Sequence, residues 1–330
     1  MLPKKFWLVM LLVICLLTGL PIRAQESGLT ADELAQLDRA LAAVQQIDQY
    51  SSYVINALQT EQSTVLLTFG ENQQETRSNI SREVASAYIF GDTENVHANV
   101  TVTVEDVVND NTTAYTMQSE VRIVEERMYV QAGYRGGRLE WQTEQMTNAA
   151  PTLPDLPIGW VVVDDPANFP TLKHLNLSDL VDKINREDYN PLIHNPELVK
   201  SLVESVTVGS TTLSNNQTLD VITFTIDGQG LITLLQSDPA FEADSDLAAL
   251  LLLELSPTSI ISFSVGLDAA GSPIQSVTQI TLVAENVDFN ALDPENVPPG
   301  VIGTFNNTIT TNELYSQVNA ALTPITAPGQ

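Results

Sequence analysis

Three histidines, one cysteine and 41 acidic residues are what this 330-residue chain offers for chemistry. His97, His174 and His194 are the imidazoles that could serve as bases or metal ligands. His97 falls on the polar side of the alternating run Val96-His97-Ala98-Asn99-Val100, and the other two stand in separate helical or loop contexts, so a surface role is expected for all three. Asp164-Asp165 and Glu125-Glu126 are adjacent carboxylates that could be named acid and base. Neighbours on a strand point to opposite faces, so neither pair converges on one substrate atom. They read instead as a strand end and a turn. The acidic loop from Asp106 to Asp110 could draw calcium but lacks EF-hand spacing. No G-x-S-x-G elbow, H-E-x-x-H helix, phosphate loop or dinucleotide fingerprint occurs. The sequence therefore predicts no catalytic residue, no metal site and no cofactor: a protein that is not an enzyme.

Charge and the first residues set the compartment. Lys4 and Lys5 precede an apolar run from Phe6 to Leu20, and Pro21-Ile22-Arg23-Ala24 closes it on a small residue. That is the layout of a secretory signal over 1–24, cleaved after Ala24. The alternative, an uncleaved anchor, asks for about 20 apolar residues, and this run is shorter. Cys15 lies inside the run, so the exported chain is expected to carry no disulfide, thiolate nucleophile or cysteine-ligated metal. Three of the 14 basic residues belong to the leader; the rest of the chain sets 11 against 41 acidic ones, a formal charge of about −30. Such a surface repels phosphates, which excludes nucleic acid as a partner. Six N-x-S/T patterns begin at Asn79, Asn99, Asn111, Asn176, Asn216 and Asn306; they matter only in a host that glycosylates exported proteins.

These residues must be positioned by elements read from periodicity. Thr30 with Glu33 makes a capping box, and Leu34, Leu37, Leu41, Val44, Ile47, Val54 and Leu58 lie on one side of a long helix. From Ser63 the period becomes two. Val65 and Leu67, then Val84 to Phe90, are expected strands joined by a polar connector from Glu71 to Ser81. Val96 to Val104 is the cleanest strand, and its partner is Tyr115 to Ile123 across a turn at Asn109 to Asn111. The stretch from Val121 to Asp165 continues the meander: Glu125-Glu126 as a turn, Met128, Val130 and Ala132 in alternation, a Gly136-Gly137 loop between Arg135 and Arg138, then the Trp160 strand. Trp141 and Trp160 are expected in packing rather than ligand stacking. Helices follow near Leu177 to Ile184 and after Asn195, with Asn195 as N-cap and Pro196 first in the helix. Strands resume at Val206 to Val208 and at Ile222, Phe224 and Ile226. Leu231 to Leu235 and Asp246 to Leu255 read as helical, the second apolar nearly all round. A last hairpin pairs Ile261, Phe263, Val265 and Leu267 with Ile280, Leu282 and Ala284. Beyond Val287 an extended strap and tail flank a short helix near Asn312 to Leu322.

This order, with V-R-I-V-E-E-R-M-Y-V-Q ahead of G-W-V-V-V-D and V-G-L-D-A-A-G-S-P-I before the last alternating strand, resembles the exported LolA-like and LppX/LprG-like lipid-carrier families over roughly Leu34 to Val287. The resemblance implies an α+β fold, a curved antiparallel β half-barrel covered by helices on its concave side, with acyl chains held in that cavity. It divides the chain into a signal peptide at 1–24, a half-barrel domain at 25–290 and a C-terminal strap and tail at 291–330. The cavity candidates are Leu247, Leu251, Leu252, Leu231, Leu235, Met128, Val130, Phe224 and Phe263. Arg135 and Arg138 are candidates for a rim that meets an anionic headgroup; the alternative is loop charges balancing Glu140 and Glu144. Two departures stand out: Cys15 is not in a lipobox, and the chain is longer than the simplest carriers.

The function expected is that of an exported, monomeric, non-enzymatic binding protein in the extracellular, periplasmic or cell-surface space, carrying or presenting a lipid or other apolar molecule, with peripheral or no membrane contact. The alternative is a cell-envelope structural module that holds no small ligand and binds another envelope protein.

Overall fold

The computed structural model describes residues 28–91, 94–108, 111–140, 155–164, 170–177, 180, 183, 191–236, 255–256, 258–292 and 297–329. The leader, Cys15, Trp141, Leu247, Leu251 and Leu252 lie outside them.

Helix α1, Ala31–Asp48, starts where the sequence places it: Thr30 Oγ1 accepts from the Glu33 amide, and Glu33 accepts in return from the Thr30 amide at 2.7 Å. It stops earlier than expected. Val54 and Leu58 sit at helical spacing from Ile47, but they belong to strand β1, Ser52–Phe69. The run Tyr50-Ser51-Ser52-Tyr53-Val54-Ile55 is rich in aromatic and β-branched side chains that fit a pleated surface better than a helix.

Ten more strands follow: β2 Asn72–Ile89, β3 Asn95–Val108, β4 Asn111–Val124, β5 Arg127–Glu140, β6 Val161–Val163, β7 Val203–Thr212, β8 Thr218–Asp227, β9 Ile260–Leu267, β10 Pro273–Asp288 and β11 Ile302–Ser316. They form one open antiparallel sheet in the order β6-β5-β4-β3-β2-β1-β11-β10-β9-β8-β7. The expected register between β3 and β4 is present, with Val104 opposite Tyr115 and Val96 opposite Ile123. Three expectations are corrected. The polar stretch from Glu71 to Ser81 is not a connector: a two-residue turn, Gly70-Glu71, with Gly70 at φ +61°, leads directly into β2. Gly136-Gly137 is not a loop but part of β5, where Arg135 is the extra residue of a bulge between the pairs Thr116–Gly136 and Met117–Tyr134. The segment near Asn312 is not helical; it completes β11.

The short helices are α2 Pro191–His194, α3 Pro196–Leu202, α4 Gly228–Gln236 and α5 Phe289–Leu292, with a 3-10 turn at Pro170–Leu175. Asn195 caps α3 as expected, accepting from the Leu198 amide at 3.2 Å. Asp227 closes β8 and caps α4 by accepting from the Gly230 amide.

The chain forms two compact units. The first takes its described residues from Met1–Gln49, Val65–Gln73 and Glu187–Ile309. There α1 (Leu37, Leu41) and α3 (Leu198, Val199) pack on β8 and β9 through Ile222, Phe224 and Val265. Gly303 of β11 passes so close to the Leu66 carbonyl of β1 that a Cβ would overlap it. The second unit comprises Tyr50–Thr64, Gln74–Arg186 and Thr310–Gln330. One face of its strands carries Ile55, Ile80, Val96, Val100, Val104, Met117, Val121, Met128 and Val130, all buried.

Candidate functional site

On that apolar face of the second unit, the alternation that buries Ile80, Tyr88 and their neighbours also turns Arg82 inward, and the same period on β1 turns Gln59 and Glu61 inward. Arg82 lies opposite Val102, which lies opposite Met117, so a guanidinium is set among aliphatic side chains. Its partners define the site. Arg82 Nη1 donates to Gln59 Oε1 at 2.9 Å, and Nε donates to the His174 carbonyl at 2.7 Å. Glu61 Oε2 stands 3.5 Å from Nη1, and the two side chains are only 6% and 1% exposed. Neither Glu61 oxygen has a hydrogen-bond partner among the described residues. A bare carboxylate at that depth is costly. Burial therefore pushes the Glu61 carboxyl up to about 7; Arg82 draws it down and Asp106 adds to the rise.

The 3-10 turn and the described residues Leu177, Leu180 and Lys183 beyond it cover this floor. Leu172, Leu175, Leu177 and Leu180 are buried, and Lys183 Nζ pairs with Glu313 Oε1 of β11 at 2.9 Å. Glu313 also accepts from the Tyr315 hydroxyl at 2.7 Å. Between floor and cover is a cleft lined by Gln59, Arg82, Val84, Leu175, Leu180 and Lys183, with a cavity of about 20 Å³. That holds one water-sized molecule; an acyl chain enters only if the cover moves. His174 corrects the surface expectation, since it is buried and its ring meets Tyr115 edge-on at 6.1 Å. Burial pushes the Tyr115 hydroxyl up as well.

The residues singled out in the sequence separate. Met128 and Val130 are buried on the face that carries the cleft, while Phe224 and Phe263 belong to the first unit and stack on each other at 5.3 Å. Leu231 and Leu235 are in α4 of the first unit. Arg135, the bulge residue, is exposed, and Arg138 lies in β5 opposite Ala114. His97 bonds Glu120 at 3.0 Å, and Arg122 bonds Glu120 at 2.7 Å while its guanidinium stacks over Trp160 at 5.2 Å. That Trp160 contact agrees with packing. The sequence reading missed Arg82 and Glu61. The signal for Arg82 was present: Ile80, Arg82, Val84, Ser86 and Tyr88 share one face, and the cation interrupts it.

Among the described residues no group of three or more His, Cys, Asp or Glu could hold a metal ion, and no helix is long and apolar enough to cross a membrane. No protein-family model and no curated protein matches the chain. Among solved structures it is similar to the Mycobacterium tuberculosis lipoprotein LppX, at 9% identity and a TM-score of 0.30, over 88% of this chain and 98% of that one. A DUF1329 family protein from Desulfovibrio piger aligns at 8% identity and a TM-score of 0.17, over 90% and 96%. Likenesses that weak carry no argument about fold or function.

Proposed function

We propose that this chain is an exported, non-enzymatic binding protein that carries an apolar or amphiphilic molecule, and that the sheet face of the second unit holds it in the manner of a half-barrel closed by helical segments. The observation that carries the reading is Arg82, a buried guanidinium beside Glu61, in a cleft whose lining mixes Ile55, Val84, Leu175 and Leu180 with Gln59, Lys183 and Glu313. Ligand sites combine an apolar wall with a few convergent polar groups, and a carboxyl displaced by burial beside a specific charge marks such places. Opening the cover would extend the wall toward Met128 and Val130, which are buried on the same face. The ligand takes the place of Leu175 and Leu180, which line the cleft from the cover. Each buried methylene contributes roughly 0.8 kcal/mol, so burial of one acyl chain works toward displacing that cover.

Native mass spectrometry of the protein from its own host, followed by organic extraction, tests this. Co-purifying acyl species near one per chain is the expected result. A clean apo mass with no uptake of offered lipids would move the function to an envelope module that binds another protein.

A further inference from the structure

We propose that β7 is a self-association edge: two copies of this chain pair through it, antiparallel, about a two-fold axis at Val208. The inference is independent of the carrier reading and departs from the monomer expected from the sequence.

β7 ends the sheet order, with β8 on one side. In an antiparallel ladder every second residue turns its N–H and C=O away from a given neighbour, so an edge strand presents a row of unpaired donors and acceptors. Protected edges are short, bulged, or carry Lys or Pro. The opposite edge of this sheet obeys that rule, since β6 spans only Val161–Val163. β7 does not. It runs from Val203 to Thr212 without Lys or Pro, and its register with β8 is unbroken from Ser205 to Thr212. Thr207, Val208, Gly209 and Ser210 are exposed.

Val208 indicates what the edge takes. It lies opposite Ile222, which is fully buried in the core under α1, so the two share a face. Val208 is nonetheless 57% exposed, because no further strand follows β7 in the sheet. A second β7 covers it. Two-fold pairing at Val208 sets that valine against its copy, Thr207 against Gly209, Ser205 against Thr211 and Glu204 against Thr212. Apolar then meets apolar at the centre, and hydroxyl meets hydroxyl on either side.

Charge selects this edge for a second copy. The chain carries a formal charge of −27, so most of its surface repels another copy. Within β7 the charged residue is Glu204, near one end. In the antiparallel dimer the two Glu204 residues stand about 27 Å apart at roughly 3.4 Å per residue. That exceeds the screening length of about 10 Å at 0.1 M salt. Nearby charges are paired within the chain: Lys200 with Asp38 and Glu197, and Arg39 with Asp220. A strand with one carboxylate gives a charged peptide little to read and leaves backbone pairing and the valine contact as the recognition. Edge pairing alone buries less than a standard interface of about 1,600 Å², so the dimer is weak, with a Kd on the order of 10⁻⁵ M.

Sedimentation velocity on the full chain, from about 2 µM to about 200 µM, brackets that value. The expected result is a monomer–dimer equilibrium that shifts toward dimer between about 0.05 M and about 0.3 M sodium chloride, as screening relieves the repulsion of two acidic copies. Val208→Glu sets two carboxylates on the axis and should weaken association at least about tenfold. Its side chain is largely exposed, so the fold should persist, which far-UV circular dichroism checks. Position is tested separately by oxidation in a Cys15→Ser background. Val208→Cys should cross-link, since directly opposed residues have Cα spacings of about 4.5–5.5 Å that a disulfide spans, whereas Thr212→Cys should not. Monomer at every concentration would overturn the proposal and leave the edge to a strand of a different protein. A dimer that tolerates Val208→Glu, or whose Val208→Cys form cross-links no better than Thr212→Cys, would overturn it too.

Discussion

Glu61 carries a consequence for stability that is separate from any ligand. Its carboxyl keeps its proton in the folded chain up to about 7, whereas the usual value is 4.5. Unfolding therefore releases a proton between those values, and this group's contribution to stability falls as pH rises through them. The full effect is on the order of 3 kcal/mol. Comparing urea unfolding of the wild type with Glu61→Gln, the wild type should lose about 2–3 kcal/mol relative to the variant between pH 5 and pH 8. Parallel pH profiles would mean that the carboxylate is solvated when charged. Sequence reasoning passed over this residue for a physical reason. In Gln59-Thr60-Glu61-Gln62 every side chain is polar, so alternation gives no sign of which ones face inward. His174 was misjudged likewise, because a lone histidine in a loop carries no periodicity.

Elements with a clean pattern were readable, and those without it were not. The β3–β4 and β9–β10 hairpins combine alternating apolar residues with turn residues, and both formed; β3–β4 has the expected register, whereas in β9–β10 only Ile280 meets its expected partner strand, opposite Ile261, and Ala284 bridges Leu255 instead. The first half of β2 and most of β11 consist of Asn, Gln, Thr and Glu, so pairing with neighbours decides what propensity does not. Turn chemistry offers a direct test. Glu125 and Glu126 join β4 to β5 at φ +50° and +64°, the left-handed conformation at both central positions. A primed turn of this kind matches the strand twist but favours Asn and Gly, and an ordinary side chain there costs about 1 kcal/mol. Glu126→Gly should therefore raise the unfolding free energy by up to about 1 kcal/mol, measured by urea denaturation with an unchanged m-value. A loss of stability would show that the Glu126 side chain contributes more than its backbone strain costs.

The molecule's charge acts on all of these features together. A formal charge of −27 on 330 residues leaves most acidic side chains without a cation. Ion pairs such as Arg39–Asp220 and Arg77–Glu75 are largely exposed, where a pair contributes less than about 1 kcal/mol. Self-repulsion in the compact state is therefore a net destabilising field, acting over about 30 Å at 0.01 M salt and about 10 Å at 0.1 M. Raising sodium chloride from about 0.01 M to about 0.3 M should raise the urea midpoint at pH 8, and the gain should shrink at pH 5, where Glu61 and part of the surface carboxylates approach neutrality. Magnesium chloride at matched ionic strength separates screening from site binding. Equal midpoints confirm a diffuse field, whereas a larger shift with the divalent cation would mean that carboxylates gather into a specific cation site and that the charge is locally organised.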